Sequence, residues 1–152
     1  MQSWKYFLSV GMIVLGFVLL LIGFKDYKEG MRSTSWPKVE AVITYSSAED
    51  SHDSTSVARI EYSYEVNGMT YKGDRIYAES FDAGMSRKNA EELANQFPVG
   101  RRGPVSYDPR NPKNSLLLTG AGSNVWLPFY GGIIFIVFGV LYFFDLRKAV
   151  SP

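Results

Sequence analysis

Two stretches of the chain have no polar rhythm. Residues 6–24 carry no charge and 15 of the 19 are hydrophobic, and residues 125–144 carry no charge and 16 of the 20 are hydrophobic. An uncharged run of about 18 or more residues can cross the hydrocarbon of a bilayer as a helix, so the pattern predicts two spans. Between them the period shortens to two. Val39, Ala41, Ile43 and Tyr45 alternate with Lys38, Glu40 and Thr44, which predicts a half-buried strand with Val42 as the exception. Residues 46–56 (SSAEDSHDSTS) are small, polar and acidic and read as a mobile loop. Ala58, Ile60, Tyr62, Tyr64 and Val66 then alternate with Arg59, Glu61, Ser63 and Glu65. Asn67-Gly68 closes that strand, because a tight hairpin turn needs positive φ at both central positions. The return strand is expected over residues 69–77, with Gly73 as a bulge or a point of close approach.

The period lengthens again over residues 86–97, where Ala90, Leu93, Ala94 and Phe97 share a helical face. Ser86 or Asn89 is the expected cap, and Glu91 and Glu92 are expected in the first turn. Pro98 and Gly100 end the helix. Val105 and Tyr107 begin a short strand, residues 108–112 form a rigid turn, and residues 115–119 read as a last strand.

These elements give an α+β membrane protein in which two transmembrane helices flank a small β-rich domain of about five strands with one helix. A sequential five-stranded meander closing as an OB-like or SH3-like barrel fits the order, and so does an open sheet under one helix. The expected boundaries are a tail at 1–5, a span at 6–24, a helix end and juxtamembrane linker at 25–35, the domain at 36–119, a linker at 120–124, a span at 125–144 and a tail at 145–152. The first apolar run is longer than the core of a signal peptide and no A-x-A-like site follows it, so an uncleaved anchor is expected.

Aromatic residues suit a hairpin through the bilayer. Trp4, Tyr6 and Tyr142 would mark one interface, and Tyr27, Trp126 and Tyr130 the other. Ser9, Gly16 and Gly23 recur every seven residues in the first run, as do Gly132 and Gly139 in the second. Such stripes let two backbones approach, and they are expected to face each other, although glycine is common in membrane helices in any case. Lys5, Arg147 and Lys148 in the short tails favour cytoplasmic tails and a domain on the opposite side, against the pull of Lys25, Lys28 and Arg32.

Composition sharpens this division. A mean hydropathy of −0.06 averages two apolar helices with a polar middle and describes neither. Residues 25–124 hold 13 basic and 14 acidic side chains, a net charge of −1 that argues against a nucleic-acid surface. The chain has no cysteine, which excludes disulfides and thiolate sites. Seven of its ten tyrosines lie between the apolar runs. Tyr62, Tyr64, Tyr71 and Tyr107 are expected to pack a thin core with their hydroxyls at the rim, and an aromatic interaction surface is the sharper alternative.

Candidate chemistry is sparse. His52, the single histidine, stands with Glu49, Asp50 and Asp53. His52, Asp50 and Asp53 are weak metal candidates, because the segment lacks the spacing and turn glycine of a calcium loop. A solvated loop is the plainer reading. Asp108 is expected as a turn residue before Pro109 rather than a general acid. Arg101 and Arg102 could meet lipid headgroups or an acidic partner, but two charges fall short of the usual lipid-binding cluster. No phosphate-binding loop, dinucleotide fingerprint or G-x-S-x-G turn is present, and no cofactor is expected.

Several motifs together resemble one family. Trp36-Pro37 and Ala41 open the strands, and Tyr62-x-Tyr64-x-Val66-x-Gly68-x-x-Tyr71-x-Gly73 forms the hairpin. Phe97-Pro98-Val99-Gly100 and Val105-x-Tyr107-Asp108-Pro109-x-Asn111-Pro112-x-x-Ser115-x-Leu117 close the domain. This combination resembles bacterial membrane proteins of the domain of unknown function 3592 family, from about Trp36 to the end of the chain. The resemblance implies a small membrane-anchored β-rich domain and supplies no catalytic or ligand-binding residues. Arg101-Arg102-Gly103 is more basic than the family pattern there.

The leading expectation is a non-enzymatic interaction or structural module in a bacterial inner membrane, with the lipid bilayer and another protein as partners and no nucleic acid. Two other classes stay open: a membrane-bound hydrolase or metal-dependent enzyme built on the loop around His52, and an immunity-type membrane protein. The sequence carries no sign of oligomeric state.

Overall fold

The computed structural model describes residues 3–51, 55–79 and 84–148. The elements are α1 (Ser3–Ser33), β1 (Lys38–Asp50), β2 (Ser56–Val66), β3 (Met69–Gly73), α2 (Arg87–Gln96), β4 (Arg102–Asp108), β5 (Asn111–Leu116), a 3-10 turn (Ser123–Val125) and α3 (Trp126–Lys148). The class is α+β: in chain order, a five-stranded antiparallel sheet follows an N-terminal helix and precedes a C-terminal one. The chain divides into two compact units, Met1–Tyr27 with Ser123–Pro152, and Lys28–Gly122.

The first unit is a pair of antiparallel helices, each long and apolar enough to cross a bilayer. Along the middle of the pair its interior is made of small residues, and Asp26, Val125, Pro128 and Leu146 are the other buried positions. Ser9, Gly16 and Gly23 on α1 and Gly132 and Gly139 on α3 are buried, while Phe7, Val14, Phe17, Leu21, Ile134, Phe138 and Leu141 point outward. A methyl group on Gly16 would fall 2.7 Å from the Gly132 carbonyl oxygen, and one on Gly132 would fall 2.7 Å from that of Gly16. The Ser9 hydroxyl donates to the Gly139 carbonyl at 2.8 Å. Aromatic pairs lie towards the two ends, Tyr6 with Phe143 and Tyr27 with Trp126.

In the second unit the strand order is β3-β2-β1-β4-β5. This replaces the expected sequential meander. The chain leaves edge strand β3, runs through α2, and returns on the far side of β1, where β4 pairs with residues 38–42. Ala41, Ile43, Ile60, Tyr62, Tyr64, Val66 and Val105 form the core, with Leu93 and Phe97 of the α2 segment against it. The hydrogen-bonded ladder is open between β3 and β5, yet the segments that follow these edges meet. Leu117 N–H donates to Arg75 O at 3.1 Å and Leu118 N–H to Ile76 O at 2.8 Å.

The tight hairpin forms as the sequence predicts, with φ of 53° at Asn67 and 79° at Gly68 and Val66 paired with Met69. The strand that follows stops at Gly73, short of the expected residue 77. A Cβ there would sit 2.5 Å from both the Ser115 hydroxyl and the Tyr62 ring, so this glycine marks a close approach of the two edges.

Four further expectations change. Residues 46–50 form no loop but extend β1, pairing in register from Ser46 with Ile60 to Asp50 with Ser56. Thr44 is an extra residue in β1, because Ile43 pairs with Tyr62 and Tyr45 with Glu61. This bulge shifts the alternation, so Tyr45 leaves the core face and donates its hydroxyl to Glu49 at 2.8 Å. In α2 the Ser86 hydroxyl accepts from Asn89 N–H at 3.3 Å, as a cap should. Glu91 and Glu92 lie in the second turn, not the first, and pair back to Arg87 (2.8 Å) and Lys88 (3.8 Å). Finally, β5 begins at Asn111, earlier than expected, because the turn is tight: the Asp108 carboxylate accepts from Arg110 N–H at 2.9 Å.

Candidate functional site

Tyr62 and Tyr64 belong to the core. Tyr62 is fully buried and Tyr64 nearly so, which removes both from an exposed interaction surface. The Tyr62 hydroxyl donates to Arg75 O at 2.9 Å and shares a hydrogen bond with Ser115 Oγ at 3.1 Å. The Tyr64 hydroxyl donates to Pro112 O at 2.6 Å. Burial pushes the Tyr62 phenol well above its ordinary value, and raises Tyr64 and Tyr77 in the same direction. Tyr71 is half-buried and stacks on Tyr64 with ring centroids 5.8 Å apart. A tyrosine on a two-sided strand looks the same in sequence whether its face is covered or bare, and strand pairing decides.

The basic pair is engaged locally. Arg101 donates to the Gln96 carbonyl and lies over the Phe97 ring, 5.6 Å from its centroid. Arg102 faces Glu40 across the β4–β1 pair at 3.8 Å, with both side chains exposed.

Of the metal candidates, His52 and Asp53 lie outside the described residues. Asp50 is held elsewhere: its Oδ1 accepts from Arg87 at 2.7 Å and from Ser56 at 3.1 Å. The hydrogen bond from Arg87 is the main cause that holds the Asp50 carboxyl below the usual range. No group of three or more His, Cys, Asp or Glu side chains that could hold a metal occurs among the described residues.

Two features escaped the sequence. One is a polar knot in which Arg75 donates to Glu29 (2.7 Å), to Asn114 (2.6 Å) and to the Ala78 carbonyl (3.0 Å), while Asn114 donates to Glu29 (2.9 Å). Its members are up to 85 residues apart, and only the folded chain brings them together. The other is a cleft of about 450 Å³ between the outer half of β1 and α2, lined by Ser46, Ala48, Glu91, Ala94, Asn95 and Val99 among others. It exists because residues 46–50 are a strand.

A family model described as domain of unknown function (DUF3592) matches residues 39–122, more than half of the chain. The chain belongs to that family. The DUF3592 match spans α2 and the sheet from Val39 onward. It begins after Trp36-Pro37 and stops before α3, so the family pattern covers less of the chain than the resemblance suggested. No curated protein matches this DUF3592 chain.

Proposed function

We propose that the chain is a membrane-anchored, non-enzymatic module, in which α1 and α3 cross a bilayer and the DUF3592 sheet serves as an interaction or structural domain. We take the membrane to be a bacterial inner membrane, as the resemblance implies. The carrying observation is the inverted packing of the helix pair. Only 17% of each candidate span is buried, whereas a core helix of a soluble protein is mostly covered. Apart from Val125 and Leu146, which are buried, the small residues face inward and most Phe, Leu, Ile and Val face outward, which is costly in water and natural in lipid. The short-tail charges favour tails in the cytoplasm and the sheet domain on the other side.

A compartment-dependent reporter inserted between Ser51 and Thr55 tests the topology. Activity on the extracytoplasmic side is expected, and activity in the cytoplasm inverts the orientation. Extraction of the chain by alkaline carbonate would remove the anchor reading altogether. For the interaction role, crosslinking of the full chain in its membrane should give discrete heterologous adducts, and their absence counts against the module.

A further inference from the structure

β1 has one edge that the sheet does not fill. Ile43 is its last residue bonded on the β4 side: its N–H donates to Arg101 O and its carbonyl accepts from Gly100 N–H, both at 2.9 Å. Strand alternation, shifted by the extra residue at Thr44, turns the N–H and C=O groups of Ser46, Ala48 and Asp50 toward this same edge. The opposite strand agrees. Ser56, which faces Asp50, exchanges both of its backbone bonds with Met85 on the far side (2.9 and 2.8 Å) and none with Asp50. Among the described residues no strand pairs with the β1 edge beyond Ile43.

Beside this edge lies the cleft of about 450 Å³, roofed by α2 and closed at one end by Pro98 and Val99. The Ser46 hydroxyl donates to Ala94 O at 3.0 Å, which holds helix and strand at a fixed spacing. An open strand edge flanked by a helix is an arrangement that takes an extended peptide by strand addition.

We propose that this cleft binds an extended segment of a partner protein as a sixth strand, antiparallel to β1 and in line with β4. The proposal rests on the reading of the sheet as an interaction module and names its site. The charges choose the occupant and its direction. At one end Asp50 and Glu91 share the single guanidinium of Arg87, at 2.7 and 2.8 Å, so two carboxylates meet one cation and one negative charge remains. At the other end stands Arg101, which no carboxylate among the described residues pairs with. An antiparallel segment sets its N-terminal end beside Asp50 and its C-terminal end beside Arg101. The segment therefore carries a Lys or Arg first and an acidic residue last. Between them a small apolar side chain meets Ala94 and Val99. Ser46 and Ala48 supply the backbone donors and acceptors.

The test titrates the peptide acetyl-Lys-Ser-Val-Thr-Glu-amide into the full chain in detergent micelles, read by backbone amide resonances. Saturable shifts at Ser46 and Ala48 are expected. A peptide of the same composition with Lys and Glu exchanged should bind about threefold more weakly or worse. Ala48→Pro removes a donor on the open edge without touching the β1–β2 ladder, a position where proline is tolerated. It should keep the remaining spectrum and weaken binding about tenfold or more. Should that variant lose its fold, Val99→Trp, an exposed substitution that fills the cleft, should block the peptide equally. Shifts that bypass β1, equal affinity for both peptides, or undiminished binding by the variants overturns the site. If crosslinked membrane partners persist unchanged in Ala48→Pro, this site falls and the module reading stands; if the native chain crosslinks to nothing, the module reading falls.

Discussion

At Gly16 and Gly132 two helices meet backbone to backbone, whereas at Ile60 and Tyr62 the sheet fills its centre with large side chains. Both regions are rich in hydrophobic residues. In the sheet domain they point inward, because removing them from water drives the fold. In the helix pair they point outward and the small residues touch. In the bilayer we propose for this pair, an inward leucine gains nothing over an outward one, so close van der Waals contact and a few hydrogen bonds would hold the helices. The comparison teaches that hydrophobic content does not identify the interior of this chain. On the proposed reading, the surrounding solvent does.

The strongest way to break the comparison is to delete an aromatic ring from each region. Tyr62→Ala removes a fully buried side chain with two hydrogen-bond partners and should cost the sheet domain about 3–5 kcal/mol. Phe17→Ala removes an outward ring and should change the stability of the helix pair in detergent by about 0.5 kcal/mol or less. Chemical denaturation of the full chain, followed by probes in each unit, reads both. A large loss at Phe17 would mean that its ring packs against protein, and the helix pair would then be no inverted core.

Adding bulk sharpens the same contrast. Gly16→Leu drives a side chain into the Gly132 carbonyl and Ile136, and should cost about 1–3 kcal/mol of helix-pair stability. Gly11→Leu lies on the same helix with nothing within 4 Å of its added Cβ, and should be neutral. Equal effects at the two positions would show that helix propensity, not contact, governs the result.

What was legible in the sequence follows the same division. The two apolar runs, their seven-residue stripes and the Asn67-Gly68 hairpin are local patterns, and local patterns survive in any tertiary setting. The helix cap was readable to within Ser86 or Asn89, because its bond spans three residues, and the structure decides for Ser86. The strand at residues 46–50 was hidden. Ser-Ser-Ala-Glu-Asp has weak strand propensity, and pairing with residues 56–60 overrides it. The bulge at Thr44 was hidden for the same reason, so Tyr45 was assigned to the wrong face. Strand order was not readable, since β4 pairs with β1 rather than with β3, through contacts some 60 residues apart. The cleft beside β1 depends on all three features, so no local motif announces it.

Alkaline pH separates the regions without mutation. The Tyr62 phenol is raised by burial, so above the ordinary tyrosine value of about 10 the unfolded chain releases a proton that the folded chain keeps. Protons bound to the native state then exceed those bound to the unfolded state, and stability falls as pH rises. The slope from Tyr62 is about 1.4 kcal/mol per pH unit, present only above about pH 10 and absent below it. Tyr64 and Tyr77 shift the same way and steepen the fall. Circular dichroism from pH 8 to 12 should show the sheet signal lost before the helical signal in detergent. Substituting Tyr62→Phe should flatten the slope, and an unchanged slope would assign the transition to another group.

The smallest effect compares two buried serines. In the sheet domain the Ser115 hydroxyl bonds the Tyr62 hydroxyl at 3.1 Å; in the helix pair the Ser9 hydroxyl donates to the Gly139 carbonyl at 2.8 Å. Ser115→Ala should cost about 0.5–1.5 kcal/mol, tempered because Tyr62 keeps its bond to Arg75 O. If the pair spans a bilayer as proposed, Ser9→Ala should cost less, about 0.6 kcal/mol, even though its bond is shorter. The reason lies in the separated state. A serine on a lone helix in lipid can turn its hydroxyl back to a carbonyl of the preceding turn, so separating the helices does not leave it unpaired. Gly139 in turn keeps the helical bond to its carbonyl whether or not Ser9 is present. A Ser9→Ala loss several times larger than that of Ser115→Ala would mean that this hydrogen bond, rather than the contact of Gly16 with Gly132, holds the helices together.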